Sequence, residues 1–390
     1  MNAAPIHDFD VVIAGGGLAG LSLGLALAQG GVRVAAVDAI APPVSVAPPF
    51  DGRVSALAPT SRRMFDAMGL WSDMAPEAQP VRDIVVSDGT VRDGASPLFL
   101  HFETVSTDEP LSHMIENRHV RIAQQAALAC APSLTLLAPE RVTRVSFTPG
   151  AAEAHLASGR VLRAALCVAA EGRASPLRAQ MGIKTIGWDY AQHGIVTTAI
   201  LPMRGNRSSL VWTERADVAP AIMALDDVSF AGEVRARFTD FLGAVSPVGP
   251  RWSYPLSLHL AREDVRPRFA LLGDSAHGIH PLAGQGLNLG LRDAAALAEI
   301  VIDAMRLGQD IGATSVLAQY EQWRRFDNTL FALGCDALNT IFSNDIPHLR
   351  AARDAGMGLI NLLKPLKRTL VTQAGGDAGR LPKLLRAEAI

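Results

Sequence analysis

"DFDVVIAGGGLAGLSLGLALAQGGVRVAAVDA", Asp8 to Ala39, is the stretch that decides the fold. Val11, Val12 and Ile13 form an unbroken apolar run, as in a strand buried on both faces of a parallel sheet. Gly15, Gly17 and Gly20 follow in the spacing G-x-G-x-x-G and open an apolar helix. Gly15 permits the tight turn, Gly17 lets a pyrophosphate approach the backbone, and Gly20 lets the helix pack on the strand. Gly30 and Gly31 stop the helix, Val32 to Val37 make a second strand, and Asp38 closes it where a carboxylate would grip a ribose hydroxyl. A lone glycine fingerprint is weak. Strand, helix, second strand and terminal acid together predict a dinucleotide-binding βαβ unit.

The fingerprint does not separate one dinucleotide from another. A second stretch does, "FALLGDSAHGIHPLAGQGLNLGLRDAAALAEIV", Phe269 to Val301. Phe269 to Leu272 reads as another buried strand, and Asp274 stands at its end, within reach of a sugar or ribityl hydroxyl. The helix starting near Gly284 presents Gly284, Gly286, Leu287 and Asn288 at its tip, with nothing bulky over the first N–H groups. Such a tip, with its positive dipole end, suits a flat group that accumulates negative charge. A reduced isoalloxazine ring is such a group, so the pair of stretches points to FAD.

Composition sets the limits. The 390 residues are 49% hydrophobic and 19% charged, with 34 glycines and only 5% aromatics, which suits an α/β chain with many strand-to-helix turns. A net charge of −2 gives no electrostatic case for nucleic acid. Cys130, Cys167 and Cys335 share no metal-ligand spacing and are expected as thiols in a reducing compartment. The first apolar run lacks a basic leader, follows Asp8 and Asp10, and is broken by glycines, so it is expected neither to span a bilayer nor to act as a signal peptide. The expected location is the cytoplasm, with peripheral contact at the inner membrane.

"GGGLAG", "DGRVSALAPTSRRMFDAMGLW", "ENRHVRIAQQAAL", "AAEGRASPLRAQMGI" and "GDSAHGIHPLAGQGLNLGLRDAAALAEIV" resemble, in order, the motifs of the class A flavoprotein aromatic monooxygenases. Within these the chain looks most like the ubiquinone-biosynthesis hydroxylases, and the likeness continues through "YEQWRRFDNTLFALGCDALNTIF" and "LINLLKPLKRTL". The resemblance implies a para-hydroxybenzoate hydroxylase-like fold: a Rossmann-like FAD-binding domain, an inserted antiparallel-sheet substrate domain and a helical C-terminal region. It implies FAD as the held cofactor, NADPH or NADH as transient reductant, and O2 as co-substrate. A polyprenylated phenol would be hydroxylated on its ring through a flavin C4a-hydroperoxide. Other ubiquinone-synthesis proteins are the implied partners.

Carried over by residue, the resemblance places Arg53 beside the FAD pyrophosphate and gives Arg118 a further FAD contact. Asp274 becomes the flavin-sugar carboxylate and Pro281 faces the reactive edge. The amides of Leu287 and Asn288, next to Gly286, meet the C2 carbonyl. His277 and His280 read as structural hydrogen-bonders. Two departures stand out. The family's Asp-Gly pair reads Glu171-Gly172 here, with Ser175 and Arg178 intact, and the chain passes directly from Ala199 to Ile200-Leu201-Pro202, where the family carries a longer stretch.

The FAD domain is expected over residues 1–80, 105–182 and 265–310, the substrate sheet over 81–104 and 183–264, and a helical region over 311–390. Trp252 and Tyr254 are candidate cavity residues and equally candidate sheet core. A helix from Val316 places Tyr320, Trp323, Phe326, Leu330 and Leu333 on one face, expected as core. "MGLINLLKPLKRTLVTQ" reads either as a membrane- or partner-touching helix or as a docking helix with solvated lysines. Two further functions stay open at this point: a hydroxylase of a small soluble aromatic acid, and a flavin-binding, catalytically impaired scaffold subunit.

Overall fold

The N-terminal apolar run forms β1 (Phe9–Ala14), with Val11 to Ile13 fully buried, and Gly17 begins α1 (Leu18–Gln29). The coordinates are a computed structural model describing residues 8–46, 52–90, 94–104, 109–238, 243, 245–280, 284–343, 346–377 and 379–390. β2 (Val34–Val37) runs parallel to β1, with Val11 beside Val34 and Ala14 beside Val37. Then come α2 (Pro42–Ser45), β3 (Val54–Leu57), α3 (Pro59–Ala67) and α4 (Trp71–Met74). β4 (Gln79–Val81), β5 (Asp83–Thr90), β6 (Gly94–Glu103) and β7 (Ser112–Glu116) follow. β3, β7 and β4 make a small sheet, while β5 and β6 pair only with each other among the described residues.

α5 (Asn117–Leu128) leads to β8 (Leu134–Leu137), β9 (Val142–Thr148), β10 (Ala151–Leu156) and β11 (Val161–Ala169), then α6 (Pro176–Gln180). β12 (Thr185–Met203), β13 (Arg207–Arg215), α7 (Ala219–Met223), α8 (Asp227–Phe238) and β14 (Trp252–Ala261) form the inserted region. β15 (Val265–Arg266), β16 (Phe269–Leu271) and β17 (His277–Gly278) precede the helices α9 (Gly286–Arg306), α10 (Thr314–Phe342), α11 (Pro347–Leu362) and α12 (Lys364–Ala374).

The large sheet has the order β15-β16-β11-β1-β2-β8, with β10 and β9 added beside β11. From β16 to β8 the strands are parallel, and both faces are covered, as the continuous apolar runs require. α9 is buried over nearly its whole length because Ala294 to Ala296 and Gly290 let it lie tight under the sheet and α1. The last residues return to this core, where Leu384 and Leu385 are fully buried. A second sheet, β13-β12-β14-β17, is antiparallel. The short passage at Ala199 falls on a register shift between Thr197 and Leu201, where β12 pairs with β13. Among the described residues no helix is long and apolar enough to cross a membrane.

The face expected to be core on α10 is core only at Tyr320 and, in part, Trp323. Tyr320 is 1% exposed, but Phe326 is 72%, Leu330 46% and Leu333 52% exposed. The buried line is instead Tyr320, Arg324, Asn328, Ala332, Cys335 and Asn339. A buried carboxylate beneath α10 turns the helix by its polar side, and the leucines face outward.

Candidate active site

Gly15 sits at φ +108°, and a methyl there would come within 2.3 Å of the Ala170 carbonyl oxygen. A methyl on Gly20 would come within 2.0 Å of the Gly15 oxygen. Only glycine permits both approaches. At Gly17, by contrast, a methyl would meet no described atom within 4 Å. Gly17 caps α1 with no side chain bonded over it and no acid in the first turn. The tip of α1 is thus a row of backbone donors open on one side. Asp38 ends β2 next to this turn, its Oδ1 accepting the Ile40 N–H at 2.7 Å.

The second tip is built the same way. α9 starts at Gly286 after Gln285, again with no side-chain cap among the described residues, and a methyl on Gly286 would meet no described atom within 4 Å. Gly284 needs its glycine for φ +61°. The Asn288 side chain is committed elsewhere: its Oδ1 accepts the Ala58 N–H at 2.9 Å and the Ser61 hydroxyl at 2.8 Å, and its Nδ2 donates to the Ala56 carbonyl at 2.8 Å. Asn288 therefore ties α9 to the start of α3 and leaves only its backbone N–H for the tip. The two tips are held together where Ala19 of α1 meets Gly290 of α9, close to Gly273. Pro281 lies outside the described residues.

Asp274 is exposed beyond the end of β16, while its neighbour Ser275 is fully buried. Ser275 Oγ accepts the Gly172 N–H at 3.1 Å, and Arg178 donates to the Ser275 carbonyl at 2.8 Å. The Glu171 carboxylate accepts the Ser175 hydroxyl at 2.8 Å and the Leu177 N–H at 3.1 Å. It caps α6 and does not extend toward the helix tips. Burial pushes the Glu171 carboxyl up, against these hydrogen bonds. His259 Nε2 lies 3.0 Å from the Asp274 carbonyl oxygen, which can only accept, and burial lowers this imidazole to about 4.

Arg53 is exposed, and its carbonyl accepts the Asn117 N–H at 3.0 Å, which brings it beside the start of α5. Arg118 is held by Glu116 at 2.7 Å, and Arg207 shares that carboxylate at 2.9 Å. Gln124 of α5 donates to the Leu18 carbonyl at 2.8 Å, tying the arginine-bearing helix to the first turn of α1. Trp252 lies so close on Gly52 that a methyl there would be 2.4 Å from the ring. Tyr254 pairs in register with Gly194 and stays 38% exposed. Both stand on β14 of the second sheet.

The centre that the sequence did not disclose is Asp293. It is fully buried and accepts from the Gly273 N–H at 3.1 Å, His277 Nε2 at 2.6 Å, Arg324 Nε at 2.7 Å and Asn328 Nδ2 at 3.3 Å. Burial alone would raise its carboxyl, but the His277 and Arg324 charges outweigh that and hold it well below the usual carboxylate range. The available signal was a polar i, i+4 pair, Arg324 and Asn328, continuing the helical face of Tyr320.

Two bare helix tips side by side, with a carboxylate at the end of each adjoining strand, fit a long dinucleotide whose anionic and hydroxylated parts lie along the carboxyl ends of the sheet. These are the features of an FAD-binding monooxygenase. The family described as "FAD binding domain" matches residues 8–227 and 252–327. The ubiquinone hydroxylase UbiL of Rhodospirillum rubrum is 45% identical, over 97% of this chain and 92% of that protein. The 3-demethoxyubiquinol 3-hydroxylase of Escherichia coli K12 is 30% identical, over 94% of this chain and 98% of that protein. The p-nitrophenol 4-monooxygenase PnpA of Pseudomonas putida shares the fold, with a TM-score of 0.77 at 22% identity, over 95% of this chain and 99% of that one. The chain belongs to the ubiquinone-hydroxylase family of FAD-dependent aromatic-ring monooxygenases.

Proposed function

We propose that this protein hydroxylates the aromatic ring of a polyprenylated phenol in ubiquinone biosynthesis, consuming NADPH or NADH and O2 with FAD held between the two sheets. The observation that carries the reading is the pair of uncapped tips at Gly17 and Gly286, kept adjacent by the Ala19–Gly290 contact. The near full-length similarity to ubiquinone hydroxylases favours a polyprenylated phenol over a small aromatic acid and a working enzyme over a scaffold.

Bound FAD supplies the two-electron redox and oxygen chemistry. The chain's own residues bind and orient it. The open N–H groups at Gly17 receive a pyrophosphate, helped by Arg53 and Arg118, while Gly15 and Gly20 allow the close turn. Asp38 and Asp274 accept sugar and ribityl hydroxyls, and Gly172 keeps the backbone close beside Ser275. The N–H groups of Gly286, Leu287 and Asn288 after Gly284, at the positive end of α9, favour negative charge on the group they face. The second sheet, with Trp252 and Tyr254, covers the reacting ring and excludes water. The domain limits at 80, 182, 265 and 310 are part of the same reading. So is a cytoplasmic protein working at the inner-membrane face with other ubiquinone-synthesis proteins.

The test is mass spectrometry of the quinone fraction from cells lacking the gene, paired with NAD(P)H oxidation by the purified protein. Accumulation of an under-hydroxylated polyprenyl phenol is expected, with oxidation stimulated by that phenol. Normal ubiquinone together with stimulation by benzoates alone would overturn the reading.

A further inference from the structure

Between Asp354 and Asp377 the chain carries no acidic residue, and Lys364, Lys367 and Arg368 are its only charges, in a protein whose net charge is −2. The same stretch is the least buried part of the C-terminal region. α12 has no buried residue, and Leu359, Leu362, Leu363, Leu366 and Leu370 are 58%, 79%, 45%, 41% and 38% exposed. Leu98 and Phe99 of β6 are 46% and 42% exposed and border the same apolar groove as Leu359 and Leu362. The His101 N–H bonded to Asn361 Oδ1 at 3.2 Å fixes the β5–β6 hairpin to α11, so the apolar surface is continuous.

This surface reaches the active-site tip. Gln285, the residue before α9, donates from Nε2 to the Ala374 carbonyl at 3.3 Å. Thr60 of α3 donates to the Gly375 carbonyl at 3.0 Å, and Arg63 pairs with Asp377 at 2.6 Å. The end of α12 is therefore held against Gln285, the residue that precedes α9, and against the start of α3.

We propose that α11, α12 and the adjoining Leu98 and Phe99 of β6 form a docking face for an anionic lipid bilayer, from which the substrate passes to the tip of α9 beside Gln285. The source of substrate rests on the polyprenyl-phenol reading, and the surface rests on its own pattern. Exposed leucines interleaved with cations, and no acid over several turns, match an interface where leucines enter the acyl boundary while lysines stay at the headgroups. Anionic headgroups complement that charge, and a protein partner would have to supply a matched acidic groove.

Vesicle flotation of the FAD-loaded full-length protein tests this, using phosphatidylcholine alone and phosphatidylcholine mixed with phosphatidylglycerol. The wild type is expected to float with the mixed vesicles and to release as salt is raised. The triple variant Lys364→Glu, Lys367→Glu, Arg368→Glu is expected to bind at least ~100-fold more weakly, about fivefold for each cation lost before the added repulsion of the three carboxylates, with FAD content unchanged. Leu362→Ser with Leu366→Ser should also lose binding, and its FAD content reports whether it folds. Equal flotation of wild type and triple variant, or none of either, overturns the proposal. Absence of flotation with co-elution of another ubiquinone-synthesis protein gives the face to that partner and also overturns it. Hydroxylation of a short-tailed soluble phenol is measured alongside. Flotation without hydroxylation would sink the substrate reading and leave the docking face, and hydroxylation without flotation would do the reverse.

Discussion

The carboxylate of Asp293, fully buried in α9, accepts the backbone N–H of Gly273, the residue before Asp274. One side chain thus fixes the turn that carries Asp274. That carboxylate survives in the core because His277, together with Arg324 and Asn328 of α10, reaches it. α10 also bonds the strand leading to the same turn, since Tyr320 donates to the Leu271 carbonyl at 2.9 Å. The C-terminal helical region therefore holds the turn at Gly273 and Asp274 in place electrostatically as well as by packing.

Replacing Asp293 by Asn leaves Arg324 and His277 facing a neutral group in the core. Breaking a buried pair from one side costs about 3–5 kcal/mol. The Asp293→Asn protein is expected to unfold at lower denaturant and to retain less FAD. Asp327→Asn supplies the comparison, because it removes the Arg292 and Arg324 pairs at Asp327 but keeps the Gly273 bond. It should lose stability while keeping FAD. Equal FAD loss in both would show that Asp293 does nothing specific at the turn.

The sequence made the cofactor turn legible because glycine spacing is a backbone constraint, readable without knowing the partners. Gly15, Gly17, Gly20 and the tip at Gly286 fall where that spacing put them. Side-chain commitments were less legible. Glu171 and Asn288 sit within the motifs, yet the first caps α6 and the second ties α9 to Ala56, Ala58 and Ser61. The outward turn of Phe326, Leu330 and Leu333 was hidden for a related reason: two apolar and polar faces competed on α10, and a distant carboxylate settled which went inside.

Gly17 and Gly20 separate cofactor contact from fold. A methyl on Gly20 strikes the Gly15 oxygen at 2.0 Å, so Gly20→Ala should shift the strand–helix turn and yield little folded protein. A methyl on Gly17 touches no described atom within 4 Å. Gly17→Ala is expected to keep the thermal midpoint of the apoprotein within a few degrees while FAD binds at least ~10-fold more weakly, since a pyrophosphate must approach that backbone. Unaltered FAD affinity in Gly17→Ala would remove the pyrophosphate from the tip of α1.

Glu171→Ala deletes the carboxylate that caps α6. Loss of such a cap costs about 1 kcal/mol, and denaturant unfolding should register it. FAD affinity should change less than about twofold, the size of an effect with no direct contact. A much larger loss of flavin would mean that the carboxylate turns to the cofactor, in the role the Asp-Gly pair of the family implies.

His259 gives the site a pH dependence of definite sign. Burial, with Arg173 and Arg178 nearby, lowers its ring to about 4 from the usual 6.5, despite the Asp274 carbonyl it bonds. The folded protein then binds fewer protons than the unfolded chain between these values, so stability rises with pH across that window. The contribution is complete above about pH 6.5 and is lost as pH falls toward about 4. Protonated His259 also sets a positive charge beside Arg178, whose guanidinium is 3.4 Å away and holds the Ser275 carbonyl. FAD retention should therefore weaken over the same range. His259→Gln keeps a donor for the Asp274 carbonyl but does not titrate, so its thermal midpoint and bound flavin should fall less steeply on acidification. Parallel acid profiles for the two proteins would show that another group governs the loss.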